Sequence, residues 1–205
     1  MTIALTGIDG AGKSTAGRLL AQRLVRSGHP AIITVNPCGR SSMKIWCQRL
    51  RLRVPAGWLD AVETSIRCAN VLVSHLRAKY FPGIVIMDRY LYCQLALKRV
   101  RGLSPGRWLP LLLRILPTPD IVFYFNVPAD VASNRVLQRA TDFETVEALK
   151  SFDLAYRELD HFSSFVMINA GDSSEHLVDE IWHEMALLGR VPRLPGRRTS
   201  LGGLS

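Results

Sequence analysis

Lys13 closes a glycine-rich run, Gly7-Ile8-Asp9-Gly10-Ala11-Gly12-Lys13-Ser14-Thr15, that fits the phosphate-binding pattern GxxxxGK[ST]. Glycines let the backbone curl until successive N–H groups face phosphate oxygens, and a helix starting there adds the positive end of its dipole. In such a loop Gly7, Asp9, Gly10, Ala11, Gly12 and Thr15 shape the cradle. Lys13 neutralises the β- and γ-phosphates of a triphosphate, and Ser14 holds Mg²⁺. A chance match in a chain of this length is on the order of one in a hundred. The pattern by itself leaves kinase, GTPase, motor and transporter ATPase open.

Two further places carry chemistry. In "IVIMDRY" an apolar run delivers Asp88, whose carboxylate either orients Mg²⁺ or its waters or caps the next helix. In "VPADVASNRVLQR" Arg135 and Arg139 stand four residues apart on one helix face. The loop between Gly7 and Gly12 has no arginine, so the charge on a transferring phosphoryl group needs an outside cation. These two arginines are the best placed candidates, with a solvated helix face as the equally weighted alternative. The chain has no Asn-Lys-x-Asp run for guanine and no Ser-Gly-Gly-Gln signature, which favours a compact kinase.

Short apolar runs at residues 2–6, 31–35, 84–87, 121–127 and 165–169 read as doubly buried parallel strands. Segments with helical spacing lie between and after them, at residues 13–27, 58–80, 90–100, 129–139, 144–162 and 173–188. Strand then helix, repeated about five times, predicts an α/β fold: a five-stranded parallel sheet flanked by helices on both faces. Ligands of such sheets bind at the carboxyl ends of the strands. Residues 1–188 read as one domain, and residues 189–205, rich in Gly, Pro, Ser and Arg, as a disordered basic tail.

These motifs and their order resemble the thymidylate kinase family of P-loop nucleoside monophosphate kinases. "GIDGAGKST", "MDRY" and "PDIVFYFNVPADVASNRVLQR" carry the likeness, and Tyr156 with Leu159 is similar to the helix after the family's lid. The resemblance spans roughly residues 2–188. It implies ATP as phosphoryl donor, Mg²⁺, a nucleoside monophosphate acceptor, a mobile lid and a homodimer. It also implies that Asp9 faces the acceptor's sugar, Arg89 contacts the transferring or acceptor phosphate, Arg67 contacts the base and Arg135 lies near the adenine. A salt bridge to Glu63, four residues earlier, is the other reading of Arg67.

The sequence departs from the family around the acceptor. After Asp88-Arg89-Tyr90, Cys93 stands where a serine is usual, and Leu97 and Lys98 replace Tyr and Gln. "VNPCGR" keeps only Pro37 and Gly39 of a longer acceptor loop, with Arg40 as a replacement cation, and Phe143 stands where the lid usually has an arginine. The donor side is intact and the acceptor side edited, which predicts that thymidine monophosphate is a poor or unselective acceptor.

The 205 residues are 48% hydrophobic, enough for a proper core, and carry 26 Lys and Arg against 17 Asp and Glu, a formal charge of +9. Anionic partners follow. Nine of those cations fall between Gly10 and Leu59, where there is no carboxylate. Together with Trp46, Trp58 and the apolar "GRWLPLLLRILP", they read as a basic helix beside the cleft plus a core or dimer helix, or else as a membrane or polyanion surface. The second option defines the competing function, a nucleotide-gated membrane- or nucleic-acid-associated module without turnover. Four widely spaced cysteines, the lack of a basic leader and the absence of a long apolar run predict a cytoplasmic protein.

Overall fold

The computed structural model describes residues 1–36, 56–139, 144–171 and 173–190, with side chains omitted at residues 56–60. The acceptor-loop residues Pro37, Gly39 and Arg40, the basic run with Trp46, the side chain of Trp58, Phe143 of the lid and residues 191–205 lie outside this set.

Five strands form one parallel sheet: β1 (Thr2–Thr6), β2 (Ala31–Val35), β3 (Ile84–Asp88), β4 (Ile121–Asn126) and β5 (Val166–Asn169). Their order is β2-β3-β1-β4-β5. β1 and β3 are apolar apart from Thr2, Thr6 and Asp88, and β4 is apolar but for Tyr124 and Asn126; all three central strands are almost wholly buried. The edge strands β2 and β5 are partly exposed. This is the pattern of a sheet covered on both faces.

Seven α-helices connect the strands among the described residues: α1 (Lys13–Arg26), α2 (Ala56–Tyr80), α3 (Leu91–Val100), α4 (Trp108–Ile115), α5 (Ala129–Gln138), α6 (Val146–Arg157) and α7 (Ser174–Leu187). Right-handed crossovers put α1 on one face and the helices that follow β2, β3 and β4 on the other. Accordingly α1 packs on β1, β2 and β3 and against α7, while α2 packs on β3 and joins α3 and α6 in the second layer. The core between these layers includes Ile3, Leu5, Ile86, Phe123, Phe125 and Ile168, all inaccessible to solvent.

The predicted 144–162 helix is shorter than the sequence suggests. Thr145 caps α6 by accepting from the Ala148 N–H at 3.2 Å, the helix ends at Arg157, and Phe162 sits in a separate 3₁₀ turn. There its ring meets Tyr124 edge-on, with centroids 5.1 Å apart. Aromatic packing therefore decides that segment, not helical spacing. The run "GRWLPLLLRILP" forms α4, in which Leu109 is buried while Trp108 and Ile115 are exposed. No helix among the described residues is long and apolar enough to cross a membrane. Past α7, Arg190 donates to Asp120 at 2.9 Å, so the packed chain continues two residues beyond Leu188.

Register decides what meets at the sheet's carboxyl edge. Leu5 pairs with Asp88, Val35 also pairs with Asp88, and Thr6 pairs with Tyr124. The P-loop, Asp88-Arg89 and Asn36 therefore leave their strands side by side.

Candidate active site

Gly10 and Gly12 hold φ values of +82° and +86°, which L side chains resist. A Cβ on Gly10 would also stand 2.3 Å from the Ala132 carbonyl oxygen. The loop needs glycine there for conformation and for space. α1 starts at Lys13 with no side-chain cap, so its first N–H groups and the positive end of its dipole are left to the loop. The Lys13 side chain is buried and its Nζ donates to the Ile8 carbonyl at 2.5 Å. Burial, then the charge of Arg89, lower its pKa, against the opposing pull of Asp9 and Asp88.

Next to it, the Ser14 hydroxyl donates to Asp88 Oδ2 at 2.5 Å. The two residues singled out for metal binding are thus in contact, one from the start of α1 and one from the end of β3. Among the described residues no group of three or more His, Cys, Asp and Glu could form a denser metal site.

Arg89 follows at φ +77°, the one non-glycine residue with positive φ among those described. Its N–H donates to the Leu5 carbonyl at 3.1 Å, and its carbonyl accepts from Asn36 Nδ2 at 2.8 Å. Strain held in place from both sides is found preferentially at functional positions. The guanidinium donates through Nη2 to Asp9, and the two side chains remain 20% and 31% exposed, so the ion pair borders open space. Burial raises the Asp9 pKa, but Arg89 and then Lys13 more than reverse this and hold the carboxyl below its ordinary value.

Arg67 forms the Glu63 bridge, at 3.3 Å with both side chains nearly inaccessible. Glu63 also accepts from Arg101 at 3.1 Å. The other terminal nitrogen of Arg67 donates to Cys93 Sγ at 3.3 Å, and Arg89 reaches the same sulfur at 3.6 Å. Arg67 and Arg89 are therefore joined through Cys93, from two different elements.

Arg135 lies apart from this cluster. It donates to the carbonyls of Ala170 and Gly171, at 2.8 and 3.0 Å, fixing the turn after β5. Arg139 is exposed at the C-terminal end of α5. Sequence reasoning missed Asn36, which braces the Arg89 backbone. Its place just after a predicted strand was the available signal. It also missed Gln94, fully buried with its amide nitrogen donating to Thr64 Oγ1 at 2.8 Å, for which no local signal existed.

With this geometry in hand, comparison with known proteins is specific. A family model described as thymidylate kinase matches residues 62–181, more than half of the chain. The chain belongs to the thymidylate kinase family. It is similar to the probable thymidylate kinase of Thermococcus onnurineus, with 31% identity over 195 residues, covering 88% of this chain and 95% of that protein. The corresponding figures for the probable thymidylate kinase of Thermococcus kodakarensis are 30% over 197 residues, 88% and 95%. The thymidylate kinase of Leptospira interrogans is 28% identical over 166 residues, 77% of this chain and 80% of the relative. Membership of the thymidylate kinase family makes this protein an ATP-dependent nucleoside monophosphate kinase.

Proposed function

We infer that the protein transfers the γ-phosphoryl group of ATP, as its magnesium complex, to thymidine monophosphate, with Asp9, Arg67 and Arg89 holding the acceptor. The observation that carries this reading is the Arg89–Asp9 pair, braced beside the P-loop lysine and still partly exposed. Arginine's planar fork can grip two phosphate oxygens at once. The ionised Asp9 carboxylate can accept a hydrogen bond from a sugar hydroxyl. Lys13, freed from the Ile8 carbonyl, would turn to the β- and γ-phosphates. Phosphoryl transfer asks little covalent work of the protein, so positioning and charge stabilisation are what these residues supply.

The Ser14 hydroxyl and the Asp88 carboxylate suit Mg²⁺, which takes oxygen donors and keeps several positions for phosphate and water. Bound there, the ion would neutralise charge on the triphosphate. The free thiols at Cys68 and Cys93 support a reducing compartment, the cytoplasm. A homodimer belongs to the same reading. The exposed apolar residues Val62, Ile66, Val73, Leu76 and Tyr80 along α2 offer it a surface, and a monomer in sedimentation at assay concentration would count against it. The turnover-free binding module is not favoured, because the relatives named thymidylate kinase match across most of their length.

Selectivity for thymine is expected to be weak. Leu97 and Lys98 take the family's aromatic and amide places, and Arg67 is engaged with buried Glu63. Each buried polar group left without its partner costs about 1–3 kcal/mol, enough to erase a tenfold to hundredfold preference. Initial rates with thymidine, deoxyuridine, deoxycytidine and purine monophosphates at one subsaturating concentration test this. Thymidine monophosphate should be used with less than about a hundredfold advantage. A larger preference would mean that other residues rebuild the thymine site.

The arginines of α5 give a second expectation. External cations contribute about 10³ to 10⁵ in related phosphoryl-transfer enzymes. At least one of Arg135→Ala and Arg139→Ala should therefore lower turnover more than roughly tenfold. Full activity in the double variant would assign the neutralising charge to Arg89 instead.

A further inference from the structure

Cys93, on the buried side of α3, is 1% exposed, yet guanidinium groups from two separate elements donate to its sulfur. Arg67 comes from α2 and Arg89 from the turn after β3. On α6, Tyr156 is fully buried, and its hydroxyl makes no hydrogen bond. Two guanidinium groups thus converge on one atom that is closed to water. A neutral thiol accepts hydrogen bonds only weakly and compensates poorly for taking guanidinium donors out of water. An anionic sulfur compensates well.

Glu63 serves Arg67 and Arg101 together, and Asp9 faces both Arg89 and Lys13. Among the groups that act on Cys93, burial pushes the thiol's pKa up. Arg67 and then Arg89 more than reverse this, against the opposing charge of Asp9, so it titrates below the ordinary cysteine value.

We propose that Cys93 is a thiolate counter-ion of the empty acceptor site, which positions Arg67 and Arg89 and takes up one proton from solvent when the acceptor's phosphate docks on Arg89. The proposal rests on Arg89 as the acceptor-phosphate arginine. The sulfur gains a proton and no other bond changes, so no oxidant or reductant is involved. The reason for the uptake is direct. An arriving phosphate dianion competes with the thiolate for Arg89, and like charges in one site favour protonation of one of them. Cys93 is a positioning residue in this account, since it acts through the two arginines.

The test compares the wild-type protein with Cys93→Ser, which keeps the shape and removes the ionisation. Without acceptor, the far-ultraviolet thiolate absorbance of the wild type at neutral pH should exceed that of the variant by about one thiolate, with a titration midpoint below the free-cysteine value of about 8.5. Calorimetric titration with thymidine monophosphate, in two buffers of different ionisation heat, should then show about one more proton taken up by the wild type. Equal absorbance in the two proteins, or equal proton uptake, overturns the proposal. If thymidine monophosphate bound to neither protein, the acceptor reading would fall, and with it the docking step, while the absorbance comparison would still decide the charge of Cys93. Should Cys93→Ser fail to fold, Cys93→Ala serves as the thiol-free reference in the same two measurements, and equal absorbance or equal proton uptake there also overturns the proposal.

Discussion

Lys13→Ala is expected to lower turnover by roughly 10² to 10³, the loss seen when a single preorganised charge-stabilising group is removed from a phosphoryl- or acyl-transfer site. The lysine is buried, its own pKa is lowered by that burial, and its Nζ donates to a loop carbonyl rather than to the core. Removing it relieves a desolvated charge, so folding should suffer far less than catalysis. Thermal melting and steady-state kinetics on the same preparation separate the two. A folded variant with near wild-type transfer would show that this loop does not hold the triphosphate.

Arg89→Ala should have an effect of similar or greater size, roughly 10³ or more in kcat/KM, within the range for arginines that stabilise a transferring phosphoryl group. Two losses combine. The acceptor phosphate loses its fork, and Asp9 loses the cation that chiefly holds its carboxyl ionised, so the Asp9 pKa should rise. Activity that remains should then fall away at a higher pH on the acid side than in the wild type. Backbone strain complicates alanine here, because the position sits at φ +77°. Arg89→Lys controls for this. It keeps the strain and the charge but not the two-pronged grip, and should recover only part of the lost activity. If both variants transferred phosphate as well as the wild type, Arg89 would have no part in acceptor binding.

What could be read in the sequence follows the range of the interactions involved. The P-loop is local: its glycines, lysine and serine lie within one turn and their spacing says what they bind. The Glu63–Arg67 bridge was also visible, as a pair four residues apart on one helix. The strands were visible as apolar runs, with β3 reaching one residue further, to Asp88, because that residue still pairs with Leu5 and Val35. The centre of the acceptor site was not visible. Asn36 meets Arg89 across 53 residues and Arg101 meets Glu63 across 38, and only the sheet order and the packing of α2 on α3 bring them together. The left-handed backbone of Arg89 has no sequence signal, since arginine is not a residue that favours it. α4 was legible as a core or dimer helix, with a membrane or polyanion surface as the other reading, but not in its bounds. Pro110, in its first turn, is tolerated there because the N–H groups of a first helical turn have no partner within the helix.

The most direct test of the account follows the phosphorus atom itself. Wild-type protein and Lys13→Ala are incubated with Mg²⁺, ATP labelled in its γ-phosphate, and thymidine monophosphate, and the label is traced through the products. The account requires label in thymidine diphosphate, in step with ADP formation, for the wild type, and nearly none for the variant. Label found only in inorganic phosphate, or remaining in ATP with every deoxynucleoside monophosphate offered, would contradict the assignment of this site as a nucleoside monophosphate kinase centre.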